Sequence, residues 1–198
     1  MINLQGMKNM TLSEEVYLKL KNDVNTMAIS ANAFLNEQQL AEHYGISKAP
    51  IRAALHRLCL EGILLSYPRK GYVVVTLSDA EFKHAQNMRV LNECYAVELV
   101  AEKVTKEQLQ ELRILAGKEN GVQGNMDFHM ALAQLSGNRF LMEIIDRMLC
   151  AVTRTLNKLY SFDESQAIYS QRHIEIVDAL IASDVERAKE LLRDDILR

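Results

Sequence analysis

The sequence predicts a mostly α-helical chain, with an N-terminal winged helix-turn-helix followed by a C-terminal bundle of six helices. Three observations support this fold class. Helix-capping signals recur along the chain, a glycine-containing turn at 44–47 joins two short amphipathic segments, and a single β-rich segment at 62–77 interrupts the helical periodicity. We expect the boundary between two domains, 1–77 and 78–198, to lie where this β-rich segment ends.

Helix starts can be located from paired capping residues. A Ser or Thr followed three residues later by Glu or Gln allows each side chain to cap the backbone N–H of the other. The pattern occurs at 11-TLSE-14, 78-SDAE-81, 105-TKEQ-108, 161-SFDE-164 and 183-SDVE-186. A looser version is formed by Asn36 and Gln39. Together with apolar periodicity, these signals predict helices at 12–29, 37–44, 48–61, 79–103, 106–116, 125–136, 139–160, 163–182 and 184–196.

The turn between the second and third predicted helices is typical of a helix-turn-helix. Gly45 suits the left-handed residue that ends a helix, and Ser47 suits the N-cap of the next one. Pro50 is tolerated because first-turn N–H groups have no partner within the helix. Lys48 and Arg52 lie four residues apart, opposite the apolar stripe. Since the helix dipole disfavours cations at this end, we expect an external negative partner there, double-stranded DNA.

The β-rich segment predicts a hairpin with a basic tip. Two apolar runs flank the sequence Pro68-Arg69-Lys70-Gly71. Beside a helix-turn-helix, such a hairpin would be a wing, and Gly71 would allow the backbone to approach a DNA groove closely.

The charge distribution agrees with this interpretation. The net charge of −3 divides into +2 for residues 1–76, with eight Lys/Arg and six Asp/Glu, and −5 for residues 77–198, with fifteen and twenty. Within 47–71 there are five cations and only one acidic residue, Glu61. This excess at the motif favours nucleic-acid binding over a merely solvated face.

Composition excludes several other classes of protein. The chain has 198 residues, of which 48% are hydrophobic and 25% charged, as expected for a globular protein. Its apolar runs are too short to span a bilayer, and the N-terminus lacks the apolar core of a secretory signal. The three cysteines are scattered and odd in number, which predicts reduced core residues. We therefore expect a cytoplasmic protein without membrane contact.

Residues 9–77 resemble the GntR family of bacterial transcription regulators. The resemblance is carried by 35-LNEQQLAEHYGISKAPIRAALHRLCLEGIL-64, which matches the family pattern at Leu40, Ala41, Gly45, Ser47, Pro50, Arg52, Ala54, Leu55, Leu58, Glu61 and Gly62. It implies DNA contacts from Gln38, Ser47, Lys48, Arg52 and the wing glycine Gly71, beside the basic tip residues Arg69 and Lys70.

The chain departs from that pattern at Lys48, Ala49 and Ala53, where arginine, threonine and glutamate are usual. A lysine lacks the bidentate fork of arginine, so we expect the recognised bases to differ from the common operator of the family.

Residues 79–198 resemble the ligand-binding domain of the FadR subgroup, often called FCD. The resemblance is carried by 88-MRVLNECYAVELVAEK-103, 127-DFHMALAQLSGN-138 and 173-HIEIVDALIASDVERAKELL-192. In that family one aspartate and three histidines often hold a divalent metal that anchors a small carboxylate effector. The corresponding positions here are Asn125, His129, His173 and Asp195.

Only the two histidines keep the residue type of the family, yet the number of carboxylates is unchanged. Two histidines and one carboxylate suit a first-row divalent ion such as Zn, Ni, Mn or Fe, and Asn125 could add an amide oxygen. The alternative is a metal-free polar pocket in which Asp195 hydrogen-bonds a histidine, because an unpaired carboxylate on the apolar face of its helix would be costly.

Two further residues are candidates for effector binding. Arg89 matches a family arginine that faces the cavity and could form a fork with a carboxylate, whereas its alternative is a salt bridge to Glu93. Asn138 follows Gly137 at a helix start, and capping the following helix is the alternative role for it.

The leading hypothesis is a homodimeric transcription regulator, not an enzyme, whose affinity for a DNA operator is controlled by a small-molecule effector in the helical domain. Dimers match the two-fold symmetry of operators. One alternative is a helical metalloenzyme that carries a DNA-binding module, although no general base or nucleophile lies beside the predicted ligands. Another is a constitutive DNA-binding protein whose pocket is vestigial.

Overall fold

The structure, a computed structural model, describes residues 11–26, 28–29, 34–118, 121–159 and 166–198. The chain divides into two compact units, Met1–Thr76 and Leu77–Arg198. Over the described ranges it contains nine α-helices and one two-stranded antiparallel sheet. The predicted fold class, a winged helix-turn-helix followed by six helices, is confirmed.

The first unit contains three helices and a hairpin. Its elements are α1 (Leu12–Asn25), α2 (Glu37–Tyr44), α3 (Lys48–Leu60), β1 (Leu64–Tyr67) and β2 (Gly71–Val74). Helix α1 packs against α3, and their apolar faces form a core in which Leu20, Ile51 and Leu55 are fully buried. The prediction that the first helix reaches residue 29 was wrong, because Thr26 is its C-cap.

The turn between α2 and α3 has the predicted backbone conformation. Gly45 lies in the left-handed region with φ 67°, and its N–H bonds back to the carbonyls of α2. Ser47 occupies the N-cap of α3 in an extended conformation, but its side chain makes no capping hydrogen bond. The hydroxyl group of Ser47 therefore does not serve to stabilise the helix it precedes.

The hairpin is short and is fastened to the segment before α2. Leu64 pairs with Val74 at its base, and Tyr67 pairs with Gly71 at its tip. Backbone hydrogen bonds of 2.7 and 3.0 Å join Leu35 and Tyr72 in both directions. The hairpin is thus held against the helix-turn-helix by the backbone.

The second unit is built from the six helices α4 (Asp79–Lys103), α5 (Lys106–Ala116), α6 (Gly121–Leu135), α7 (Arg139–Leu159), α8 (Gln166–Ile181) and α9 (Val185–Leu197). The 25-residue α4 packs against α6, α7 and α9. The core between the helices includes Phe128, Leu132, Ile176 and Leu192, all without solvent exposure. No helix in the described residues is long and apolar enough to cross a membrane.

Predicted helix starts are confirmed in part. Capping boxes are present at Thr11, Ser78 and Thr105. The predicted box at 183-SDVE-186 was wrong: Asp184 caps α9, while Ser183 has a positive φ of 61°. Helix α6 begins at Gly121, four residues before the predicted start, and the predicted cap at 161–164 lies outside the described residues.

Candidate functional sites

The outer face of α3 is polar and exposed, in contrast to its buried side. Ile51 and Leu55 have no solvent exposure, whereas Lys48 and Arg52 on the opposite face are exposed. The apolar stripe positions the helix, and the remaining positions are free to carry charge without loss of packing. The Arg52 side chain retains 65% of its accessible surface.

Two polar residues accompany these cations at the helix-turn-helix. Ser47 is exposed at the N-cap of α3, and its hydroxyl group is not used for capping. Gln38 is exposed in the first turn of α2, where its backbone N–H is capped by Asn36 and its side-chain amide hydrogen-bonds to Glu42. Hydroxyl and amide groups at these positions are suited to phosphate contacts.

Arg52 is held by a carboxylate from the neighbouring helix. Its Nε donates to both oxygens of Glu37 at 3.1 and 3.0 Å, and its second terminal nitrogen donates to Oε2 at 2.8 Å. The hydroxyl group of Tyr72 in β2 donates to Oε1 of the same carboxylate at 3.2 Å. The hydrogen bond from Arg52 is the main cause that lowers the pKa of Glu37. Glu37 therefore links α2, α3 and the wing.

The wing tip combines exposed cations with an unusual backbone. Pro68 and Arg69 are the central residues of a turn closed by the Lys70 N–H, which donates to the Tyr67 carbonyl at 3.0 Å. Arg69 has φ 65°, a conformation in which glycine or asparagine is preferred. Lys70 lies over the ring of Phe34, with its Nζ 6.0 Å from the ring centre.

Gly71 has a structural role that the sequence did not reveal. Its φ is 111°, and a Cβ added there would lie 2.3 Å from the carbonyl oxygen of Leu35. The close approach that requires glycine is therefore made to the chain's own backbone, where the wing joins the segment before α2.

The second unit contains a buried cluster of ligand-forming side chains. His129 from α6, His173 from α8 and Asp195 from α9 offer one ligand atom each within 4.8 Å of one another. Asp195 Oδ2 lies 3.3 Å from His129 Nε2 and 3.5 Å from His173 Nε2. All three residues are buried. The expected convergence of these three side chains is confirmed, and Asn125 lies half-buried one turn before His129 on α6.

The orientation of His173 and its unpaired ring nitrogen suit a metal ligand. The ring of His173 stacks on Phe128 with centres 4.0 Å apart, which fixes its orientation. Its Nε2 is buried and has no hydrogen-bond partner among the described residues, since 3.5 Å to Asp195 is too long. An orphaned imidazole nitrogen beside a second imidazole and a carboxylate leaves a ligand position available.

A carboxylate predicted only as a salt-bridge partner of Arg89 orients the second histidine. Oε2 of Glu93, a fully buried residue of α4, lies 2.5 Å from His129 Nδ1. When Nδ1 carries the proton and donates it to Glu93, Nε2 is left as a ligand atom that faces Asp195 and His173. Glu93 thus lies where the outer carboxylate of a carboxylate–histidine–metal arrangement would lie.

Arg89 completes this network. Its Nε donates to Glu93 Oε1 at 2.8 Å, and one terminal nitrogen donates to Gln86 Oε1 at 3.1 Å. The amide nitrogen of Gln86 in turn donates to the backbone carbonyl of Ile196 in α9. The other terminal nitrogen of Arg89 is buried and has no partner among the described residues. The predicted salt bridge is present, and one donor remains available for an anion.

Charges within the network shift the pKa values of its members. Burial lowers the pKa of His129, but the Glu93 and Asp195 carboxylates outweigh it and raise the value overall. Burial favours neutral Asp195, yet the two adjacent imidazoles of His129 and His173 hold its pKa well below the usual range. Burial, as the largest cause, lowers the pKa of His173.

Asn138 caps helix α7. It lies just before α7, and its Oδ1 accepts the backbone N–H of Leu141 at 3.2 Å. The structure favours capping of α7 over effector contact for this residue.

Glu37 and Glu93 are the two residues whose importance the sequence did not indicate. Glu37 lies in the first turn of a helix, where any acidic residue is expected because of the helix dipole. Glu93 follows Arg89 by four residues, a spacing that also occurs on solvated helix faces. Only their tertiary partners, Arg52 and His129, distinguish these carboxylates from ordinary helix glutamates.

Comparisons with known proteins identify the family. The profile of the FCD domain matches residues 86–198, and the profile of the gntR family of bacterial regulatory proteins matches residues 12–74. The chain belongs to the GntR family and carries an FCD domain. It is a DNA-binding transcription regulator of the GntR/FCD type, as the resemblance had implied.

Named relatives of this GntR regulator are themselves transcriptional regulators. An HTH-type regulator from an unstable DNA locus of Streptomyces ambofaciens is 28% identical over 92% of this chain and 81% of its own. McbR of Escherichia coli is 28% identical over 93% of this chain and 87% of its own. The solved structure of E. coli McbR/YncC covers 96% of this chain and 95% of its own with a TM-score of 0.84. At 24% identity, that structural match shows the shared fold.

Proposed function

We propose that this regulator reads its operator through α3 and the hairpin between β1 and β2, and that residues 1–77 form the DNA-binding domain. The observation that carries the proposal is the face of α3 opposite the buried core, where Lys48 and Arg52 are exposed. A helix that presents cations from its N-terminal turns fits the major groove end first.

Each exposed residue has a role that follows from its chemistry. Arg52 has a planar fork and reads a base edge, whereas Lys48 acts as a point charge on phosphate or a base acceptor. Ser47 and Gln38 contact the phosphate backbone, since the Ser47 hydroxyl is not used for capping. Arg69 and Lys70 at the wing tip add contacts in the adjacent groove, and Gly71 holds the wing in place.

The DNA assignment is tested with the full-length protein and a duplex that the wild type selects from a randomised pool. At matched salt, Arg52→Ala should lower affinity for the selected duplex about 10- to 100-fold while thermal stability is kept. Lys48→Ala should weaken binding to all sequences and reduce the salt slope by about one if it contacts phosphate. Arg57→Ala is the matched control, because Arg57 lies on the same helix but stacks on Tyr17. Equal losses for Arg52→Ala and Arg57→Ala would contradict the assignment.

We further propose that residues 78–198 bind a small carboxylate effector through a divalent first-row metal ion such as Zn, Ni, Mn or Fe. His129, His173 and Asp195 would hold the ion, with Asn125 as an additional oxygen ligand. The orphaned His173 Nε2 supports this assignment, as does the Glu93 carboxylate behind His129. The unpaired terminal nitrogen of Arg89 supplies a buried donor for the effector carboxylate.

Titration of chelator-treated protein with Zn(II) or Ni(II) tests the metal assignment. We expect one ion per chain, loss of binding in His173→Ala, and unchanged binding in the control His84→Ala, whose histidine is exposed. Affinity should fall as the pH falls, because protons compete for the imidazole nitrogens and the pKa of His129 is raised. Stoichiometric binding that survives in His173→Ala, or no binding at all, would favour the metal-free polar pocket.

We propose that the second unit forms a homodimer through a surface of α4 and α7. Its α4 and α7 pack together and expose large apolar side chains, Met88, Leu91 and Tyr95 from α4 and Phe140 and Ile144 from α7. A two-fold dimer through this surface would match a two-fold operator. Sedimentation of Leu91→Glu should show monomers, whereas Ile114→Glu, at an exposed apolar position of α5, should remain dimeric.

We propose a regulatory and non-catalytic role at chromosomal DNA, and hence a cytoplasmic location. The relatives with assigned roles are transcriptional regulators. The metalloenzyme alternative predicts turnover of small carboxylates by the metal-loaded protein, whereas a regulator should only bind them. Product formation above a metal-only control would contradict our proposal.

A further inference from the structure

We infer that Glu37 is a positioning residue for DNA recognition, which fixes Arg52 in the orientation that reads a base and is itself fixed by Tyr72. The inference rests on the proposed role of Arg52 as a DNA-contacting residue. It goes beyond that role because it assigns part of the sequence discrimination to an acidic residue, a type that phosphate repels.

Glu37 occupies only one edge of the Arg52 guanidinium group. A guanidinium group has five N–H donors, and the carboxylate accepts from Nε and one terminal nitrogen. The opposite edge, formed by the two terminal nitrogens, keeps a parallel pair of N–H bonds. Such a pair matches the O6 and N7 acceptors of guanine. The ion pair with Glu37 and a bidentate base contact are therefore compatible on one side chain.

The carboxylate is itself held from two directions. Glu37 belongs to the first turn of α2, where the helix dipole favours a negative charge. The Tyr72 hydroxyl donates to Oε1 at 3.2 Å, and the backbone of Tyr72 is bonded to Leu35 in both directions. The Glu37 side chain is three-quarters buried, whereas that of Arg52 is 65% exposed. The more buried Glu37 carboxylate thus orients the exposed Arg52 guanidinium.

Preorganisation has a measurable consequence. Ordering a long side chain on binding lowers affinity by a factor of about 2 to 10, and a side chain ordered in the free protein avoids this loss. This gain in affinity is expected only for a duplex on which Arg52 makes its base contact. Removal of the Glu37 charge should leave affinity for unrelated DNA unchanged or slightly higher, because one negative charge leaves a DNA-binding surface.

The test compares affinities of the full-length protein for the selected duplex and for a shuffled duplex of the same length, at one salt concentration. We expect Glu37→Gln to lower the ratio of the two affinities about 2- to 10-fold without weakening shuffled-duplex binding. Tyr72→Phe should lower it less. Glu15→Gln, which removes an exposed charge on α1, is the matched control and should leave the ratio unchanged.

A double mutant separates positioning from a general electrostatic or structural effect. In the Arg52→Ala background, Glu37→Gln should have no further effect on the ratio, because the residue it positions is gone. An equal loss in both backgrounds overturns the inference. So does a higher ratio in Glu37→Gln, which would mean that Glu37 competes with DNA for Arg52. If Arg52→Ala alone leaves the ratio unchanged, the proposed role of Arg52 fails first.

Discussion

The Arg52–Glu37 pair on the surface of α3 and the Arg89–Glu93 pair inside the helical unit have the same chemistry in opposite surroundings. Both have a closest N–O distance of 2.8 Å. The Arg52 side chain is 65% exposed, whereas those of Arg89 and Glu93 are 4% and 1% exposed. The two pairs therefore differ although their distances are equal. The Arg52–Glu37 pair is solvated and can accept a further partner, whereas the Arg89–Glu93 pair is desolvated and its members depend on each other.

The difference extends to what holds each region in shape. At the helix-turn-helix, the backbone and the apolar stripe of α3 fix the geometry, and the outward side chains can change without loss of packing. In the helical unit, the side chains of Arg89, Glu93, His129 and Asp195 hold one another and connect α4, α6 and α9. Substitutions should accordingly affect recognition in the first region and stability in the second.

The largest expected effect is that of Glu93→Leu. It leaves the Arg89 guanidinium buried without its partner, so we expect the free energy of unfolding of the helical unit to fall by about 3–5 kcal/mol. Thermal or urea unfolding of the metal-free protein measures this. Arg89→Met combined with Glu93→Leu should recover the part of the loss that comes from the unpaired guanidinium, although His129 Nδ1 still lacks its partner. A Glu93→Leu variant as stable as the wild type would remove the distinction between the two pairs.

A smaller effect is expected where the backbone shapes the DNA-binding unit. Gly71→Ala places a Cβ against the Leu35 carbonyl at a φ of 111°, which should disrupt the two hydrogen bonds between Leu35 and Tyr72. We expect a loss of about 2–3 kcal/mol in the stability of this unit. Gly62→Ala is the control, since it has a φ of 70° but open space around it, and should cost less. Equal losses would mean that φ alone, and not the contact with Leu35, requires glycine at the wing.

The smallest effect on stability is expected for Glu37→Gln. The Arg52 side of the Arg52–Glu37 pair is exposed. Loss of this pair should therefore shift the thermal midpoint of unfolding by only about 2 °C, and high salt should abolish the shift. The loss in Glu93→Leu should persist in high salt, since its pair is shielded from solvent. Calorimetry at low and high salt measures both. A large salt-independent loss in Glu37→Gln would show that the surface pair is structural.

Much of the fold was predictable because it depends on local signals. Capping boxes at Thr11, Ser78 and Thr105, the left-handed Gly45 and the hairpin with its basic tip are properties of neighbouring residues, and all are present. The errors fall where local signals compete. At 183–186 both Ser183 and Asp184 are capping residues, and only the backbone geometry shows that Asp184 takes that position.

The candidate sites depended on tertiary structure to a greater degree. The sequence determined which residues lie on the outer face of α3, since apolar residues at helical spacing fix the inner face. The resemblance to the FCD domain indicated His129, His173 and Asp195, and the packing of three helices brings them together. The sequence assigned no partner to Glu37 and only Arg89 to Glu93, because each carboxylate lies in a helical position where solvated glutamates are common. Their partners Arg52 and His129 are 15 and 36 residues away in the chain. Only the packing of helices brings such distant charges within hydrogen-bonding distance, and burial then decides how strongly the members of a pair depend on each other.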